Sequence, residues 1–196
     1  MAKILYCGDC GVQTGFGRVA EYLIPALAKE HEVHALAVNW HGDPSEMQQH
    51  CKMYPAHAHG NDPFGSHRIT AIIKQVKPDL VWVTNDIWVA LQLWKPAREI
   101  KKELGFKWFV YTPIDSYGLF PDLKTPMEEW DGIATYTEFG KKEIRLMGYE
   151  KHVDVVGHGT DFDKFFPMDK RKCREKLGVP EDVFIQWQSK PTPQAH

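Results

Sequence analysis

The sequence predicts an α/β protein, a Rossmann-like parallel sheet with helices on both faces. Three observations carry this. Over the first 160 residues, short runs rich in apolar, β-branched and aromatic residues alternate with longer helical patterns. The short runs are continuously apolar rather than alternating, as in strands covered on both faces. Glycines at 8, 11, 15 and 17 lie directly between the first run and the first helical pattern.

The strands are expected at Lys3 to Cys7, Val33 to Val38, Leu80 to Thr84, Trp108 to Thr112, Gly132 to Thr135 and Val153 to Val156. In the first helix, Val19, Ala20, Leu23, Ile24, Leu27 and Ala28 recur at the spacing of one buried stripe, and Pro25 predicts a kink. Further helices are expected over His67 to Val76, Trp88 to Leu104 and Phe139 to Met147, the last two closed by Gly105 and Gly148. His41 to Ser66 shows no clear period and reads as a long functional or mobile loop. Trp82, Trp88, Trp94 and Trp108 read as packing groups rather than a stacking platform.

Composition narrows the function. With 24 basic and 26 acidic residues the net charge is -2, which gives no electrostatic reason to expect a nucleic-acid or anionic-membrane partner. No run reaches the eighteen or so apolar residues of a membrane span, and the N-terminus lacks a signal peptide pattern, so a cytoplasmic protein is expected. The four cysteines are too few and scattered for a disulfide framework. Cys7-Gly8-Asp9-Cys10 matches C-x-x-C, but no second such pair completes a zinc site. His50, Cys51, His57 and His59 of the long loop offer the missing ligands. No metal and no cofactor is expected.

In an open parallel sheet, ligands bind beyond the carboxyl ends of the strands. The polar residues that follow those ends are the loop Gly8 to Gly17, Asn39, Asn85, Asp86, Asp115, Glu138 and His158. Glycines between strand and helix let backbone N–H groups approach an anion at the helix N-terminus, so the loop with glycines at 8, 11, 15 and 17 is a candidate phosphate or sugar site. A tight turn with no ligand explains them as well. The loop completes neither G-x-G-x-x-G nor a P-loop, and strand 2 ends at Asn39-Trp40 without a ribose-binding acid, which disfavours a dehydrogenase.

The order of motifs resembles the N-terminal half of retaining glycosyltransferases of family four. Gly11-Val12-Gln13-Thr14-Gly15-Phe16-Gly17-Arg18-Val19, then Leu27 to Val33, are similar to that family's glycine loop, first helix and second strand. Thr135 to Gly140 resembles a further short segment. Val155-Val156-Gly157-His158-Gly159-Thr160-Asp161-Phe162-Asp163-Lys164-Phe165-Phe166-Pro167 resembles its interdomain linker, with Gly157 in place of proline and Thr160 in place of an aliphatic residue.

The resemblance implies a GT-B fold of two Rossmann-like domains around a cleft. It implies retaining, metal-independent transfer, typically of a hexose, from a nucleotide-sugar donor to an acceptor. Residues 1–166 would be the acceptor-side domain and 167–196 the linker and truncated start of the donor-binding domain. Asp115 would stand where many members place a histidine facing the donor sugar, as the catalytic candidate. Gly15, Gly17, Asn85, Asp86, Glu138 and His158 would be substrate-binding. Alone, such a half is expected to be inactive or nearly so. A non-catalytic sugar or nucleotide binding module is the rival reading, and a C-x-x-C redox or zinc protein the third.

After Pro167, Asp169 to Leu177 reads as a charged helix and Val183 to Trp187 as one new strand without a neighbour. The apolar surface this leaves open predicts self-association. The polar tail Gln188 to His196 reads as disordered. Back-translating from Gln186 and shifting by one nucleotide permits Asn-Gly-Asn-Arg-Asn-Gln-Pro-Arg-Lys-Arg. That resembles a basic loop of the family's second domain, so the tail is expected to be out of frame.

Overall fold

The computed structural model describes residues 1–57 and 62–186. His59 and the positions from Trp187 onward lie outside the described residues. The chain divides into two compact units, Met1–His158 and Gly159–His196.

The first unit is one sheet of seven strands, all parallel. They are β1 (Lys3–Asp9), β2 (Glu32–Val38), β3 (Lys52–Pro55), β4 (Leu80–Thr84), β5 (Lys107–Thr112), β6 (Gly132–Thr135) and β7 (Asp154–Val155). Their spatial order is β3-β2-β1-β4-β5-β6-β7. Chain order therefore reverses between β1 and β4, where open α/β sheets present their ligand crevice. The helices of this unit are α1 (Gly15–Leu27), α2 (Ile69–Val76), α3 (Ile87–Leu104), the single turn α4 (Lys124–Met127) and α5 (Glu138–Leu146).

Successive residues of β1 supply two cores. Tyr6 meets Ala20 and Ile24 of α1 on one face, while Leu5 and Cys7 join Ile73 of α2, Leu93 of α3 and Ile144 of α5 on the other. Helices thus cover both faces, as continuous apolar strands require. Trp108 and Trp94 pack edge to face inside the second core at 5.1 Å. Trp88 departs from the packing role read for it: it is 53% exposed, edge-on to Phe64 at 5.0 Å.

The expected six strands and four helices of this unit are present, with ends shifted by up to two residues. Gly105 adopts φ 74 at the end of α3 and Gly148 φ 95 just after α5. α1 continues through Pro25, less than a turn from its end.

The stretch His41 to Ser66 is not one loop. It contains a 3₁₀ turn at Glu46–Gln49 with a capping box from Ser45, and then β3. β3 was hidden because it is four residues long, lies at the sheet edge and ends in proline, which edges tolerate.

The second unit holds α6 (Lys170–Leu177), begun by Asp169, whose carboxylate accepts from Lys172 N–H at 3.0 Å, and ended by Gly178 at φ 65. Arg174 ties the chain beyond α6 back to the helix, donating to Pro180 O and to Val183 O. The strand expected at Val183 to Trp187 is not formed over 183–186, where Phe184 is 92% exposed. A strand persists only where a neighbour takes its ladder hydrogen bonds. Phe162, Phe165, Phe166 and Leu177 are also exposed in this unit. No helix among the described residues is long and apolar enough to cross a membrane.

Candidate functional site

Because all strands run the same way, the residues after each strand collect on one edge of the sheet. Asn85, Asp86, Asp115, Glu138 and His158 all stand there, and so do Gly15 and Gly17 at the start of α1. Their side chains do not act alike.

At the end of β1, Asp9 is only 3% exposed. Its carboxylate accepts from the Thr14 hydroxyl at 2.5 Å and from Asn39 Nδ2 at 3.1 and 3.2 Å. Thr14 in turn caps α1, its hydroxyl oxygen accepting from Gly17 N–H at 2.9 Å. Asn39, just after β2, takes φ 61, a left-handed backbone that asparagine tolerates. The chain Asn39, Asp9, Thr14, Gly17 therefore fixes where α1 begins. Asp9 was not singled out from the sequence, where the glycine spacing drew attention; an acid at the C-end of β1 was the available signal.

The two candidate glycines separate. Gly17 is buried, and a Cβ there would stand 2.0 Å from Val12 O, so this glycine is required by the turn itself. Gly15 is exposed and a Cβ would meet nothing within 4 Å. Only Gly15 faces the open edge.

At the end of β4, Asn85 is buried, and its side-chain oxygen accepts from Asp86 N–H at 2.9 Å, shaping the turn into α3. Asp86 is the N-cap residue of α3, but its carboxylate does not bond the helix N–H groups. Burial, the nearby Asp115 and, more weakly, Asp9 push its pKa above the ordinary carboxylate value. Asp86 thus feels two further carboxylates, one at the end of β1 and one beyond β5.

Asp115, three residues beyond β5, is exposed. Its loop is held from behind by the buried Glu143 of α5, whose carboxylate accepts from Gly118 N–H at 2.9 Å. Tyr117 and Phe120 stand out from the same loop, 84% and 76% exposed. Glu138 is exposed in the first turn of α5, whose cap is Thr137, accepting from Gly140 N–H at 3.1 Å.

His158 belongs to an aromatic group. Its ring lies 4.2 Å from Tyr136 and 5.9 Å from Tyr111, and the Tyr111 hydroxyl donates to Val156 O at 2.6 Å. The buried Tyr136 hydroxyl lacks a hydrogen-bond partner among the described residues. Burial, then Tyr111 and Asp86, raise its pKa, so it stays a protonated phenol. Tyr111 and Tyr136 were missed by a search for polar residues.

The edge therefore offers hydrogen-bond acceptors at Asp86 and Asp115 beside the rings of Tyr111, Tyr136 and His158. That is the chemistry that binds a polyhydroxyl ring. The C-x-x-C reading does not survive: Cys7 and Cys10 enter opposite cores. Among the described residues no group of three or more His, Cys, Asp or Glu side chains is placed to hold a metal ion.

Comparison with known protein families gives no match, and comparison with curated protein sequences gives none either. The fold itself is shared with solved structures. The chain is similar to HepE from Anabaena in complex with UDP-glucose, at 14% identity and a TM-score of 0.60, over 91% of this chain and 50% of HepE. HepE with UDP and glucose aligns with a TM-score of 0.55, again at 14% identity over 91% and 50%. UDP-GlcNAc 2-epimerase from Methanocaldococcus jannaschii aligns with a TM-score of 0.50 at 17% identity, over 80% of this chain and 45% of the epimerase. The likeness defines a Rossmann-like α/β fold. The chain spans about half the length of the proteins it matches.

Proposed function

We propose that this chain is the N-terminal, acceptor-side half of a GT-B glycosyltransferase that transfers a sugar from a nucleotide-sugar donor to an acceptor with retention. The observation that carries the reading is the carboxylate and aromatic edge at the β1/β4 switch point, on a fold shared with HepE, which was crystallised with UDP-glucose. The half-length match supports a second domain that completes the cleft. The apolar side chains exposed in residues 159–186 support a covering surface there.

In this reading Asp115 is the catalytic residue and faces the donor sugar. A carboxylate there accepts a sugar hydroxyl and stabilises the positive charge that develops at the anomeric carbon. Asp86 and His158 hold hydroxyl groups beside it, Glu138 stands at the rim, and Gly15 lets the donor come close to the start of α1. Asn85 and Gly17 act by shaping the turns that carry these groups. Half a cleft does not orient donor against acceptor, so the chain alone binds a UDP-sugar without turning it over.

The test is the anomer formed by a protein carrying both halves. Proton NMR of the first product is expected to show the configuration of the donor. An inverted product, or UDP-sugar hydrolysis by this half alone at an ordinary enzyme rate, overturns the reading.

A further inference from the structure

Two cysteines meet in this protein, and they are not the pair spaced as C-x-x-C. Cys7 packs beneath α2 and α3, with Leu5 O at 4.0 Å from its sulphur, while Cys10 lies in the opposite core with Tyr6, Trp40, Met47 and Cys51. The turn after β1 presses on the segment that leads into β3. A Cβ on Gly11 would stand 2.7 Å from Ser45 Oγ and 2.9 Å from Met53 Cε. In this contact Cys10 and Cys51 lie in one core as neighbouring thiols, and the Cys51 thiol donates to Met47 O at 3.5 Å. Cys10 is fully buried. Cys51 also lines a cavity of about 600 Å³ bounded by Ala28, His31, His34 and residues 48–53.

We propose that Cys10 and Cys51 form a thiol–disulfide site, oxidised by a small disulfide of the glutathione class that reaches Cys51 from this cavity. Cys51 reacts first. Its side chain borders the cavity whereas Cys10 is fully buried, and the neighbouring Cys10 lowers its pKa while Cys51 and burial hold Cys10 protonated. The Cys51 thiol loses its proton to solvent, and the thiolate attacks one sulphur of the small disulfide. That S–S bond breaks, and the departing thiolate takes up a proton. Cys10 then gives up its proton and attacks the Cys51 sulphur, displacing the second small thiolate, which is protonated in turn. Two protein thiols are oxidised to one disulfide, and one small disulfide is reduced to two thiols. The new bond ties residue 10, next to Asp9, to the start of β3, so the turn that holds Thr14 and Asn39 responds to it.

The test is peptide mapping of the whole chain after incubation with oxidised glutathione and alkylation of remaining thiols. The expected result is a Cys10–Cys51 linked peptide. Cys10→Ser is expected to stop at glutathione bound to Cys51, Cys51→Ser to leave Cys10 as a free thiol, and Cys7→Ser to change neither. In the unsubstituted chain, a brief pulse of alkylating agent is expected to label Cys51 before Cys10, which keeps the test valid should a serine variant fail to fold. A Cys7–Cys10 link, labelling of Cys10 before Cys51, or modification of Cys173 while Cys10 and Cys51 both stay free overturns the proposal.

Discussion

The turn after β1 and the stretch after β5 lie on the same edge of the sheet and are built in opposite ways. Residues 8–17 are closed on themselves: Asp9 is buried, spends its carboxylate on Thr14 and Asn39, and Thr14 caps α1. Residues 113–120 are pinned at Gly118 by Glu143 and otherwise present Asp115, Tyr117 and Phe120 outward. One region stores its polar groups in its own structure; the other leaves its side chains exposed. Substitutions should therefore cost stability in the first and function in the second.

The largest expected effect is at Gly17→Ala. The added methyl meets backbone at Val12 O, so the turn must move, and overpacking of this kind costs about 1–3 kcal/mol. Gly15→Ala meets nothing and is expected to change stability by less than about 0.5 kcal/mol. Urea unfolding of the two variants measures the difference; equal losses break the distinction between the glycines.

Next comes Asp9→Ala, which leaves Asn39 Nδ2 without its acceptor and frees the Thr14 hydroxyl, a loss of about 1–3 kcal/mol. Asp115→Asn is expected to leave the unfolding midpoint within about 0.5 kcal/mol of the parent, since its side chain is exposed. In a two-domain enzyme the same substitution should lower kcat by about 100-fold or more. A stability loss at Asp115 as large as that at Asp9 contradicts the comparison.

The smallest effect is at Asp86, whose pKa is raised by burial, then by Asp115 and Asp9. A raised carboxyl pKa gives stability that is fully present below the unfolded value, about 3.9, and lost as pH rises through the folded value. Asp86→Asn should therefore stabilise the chain at pH 7 by less than about 1 kcal/mol, solvent screening being substantial, and the gain should fade as pH falls toward 4. Thermal melts at several pH values read this directly; a gain that grows on acidification reverses the sign and refutes it.

Much of this edge was legible in the sequence because parallel βα units bring every strand's following residue to one side. Asp86, Asp115 and His158 could be placed by that rule alone. Whether a side chain then faces outward is decided by turn geometry that no spacing shows. Asn85 turns back onto Asp86 N–H, and Gly17 is enclosed by Val12. β3 escaped because a four-residue edge strand needs only β2 as its partner and carries no repeat of its own. Val183 to Ile185 misled for the opposite reason: three strand-forming residues without a neighbour make no strand.

If the open edge at the β1/β4 switch point receives a nucleotide-sugar, the chain alone should bind one weakly. Backbone amide NMR of this chain titrated with UDP-glucose tests this most directly, because shift mapping detects even the weak binding of half a cleft. Perturbations are expected at Gly15, Asp86, Asp115 to Gly118, Tyr136 to Glu138 and His158, with little change at the far edge around His31 and Lys52. Perturbations centred on that far edge, or none up to about 10 mM ligand, well above an ordinary half-site affinity, would contradict it.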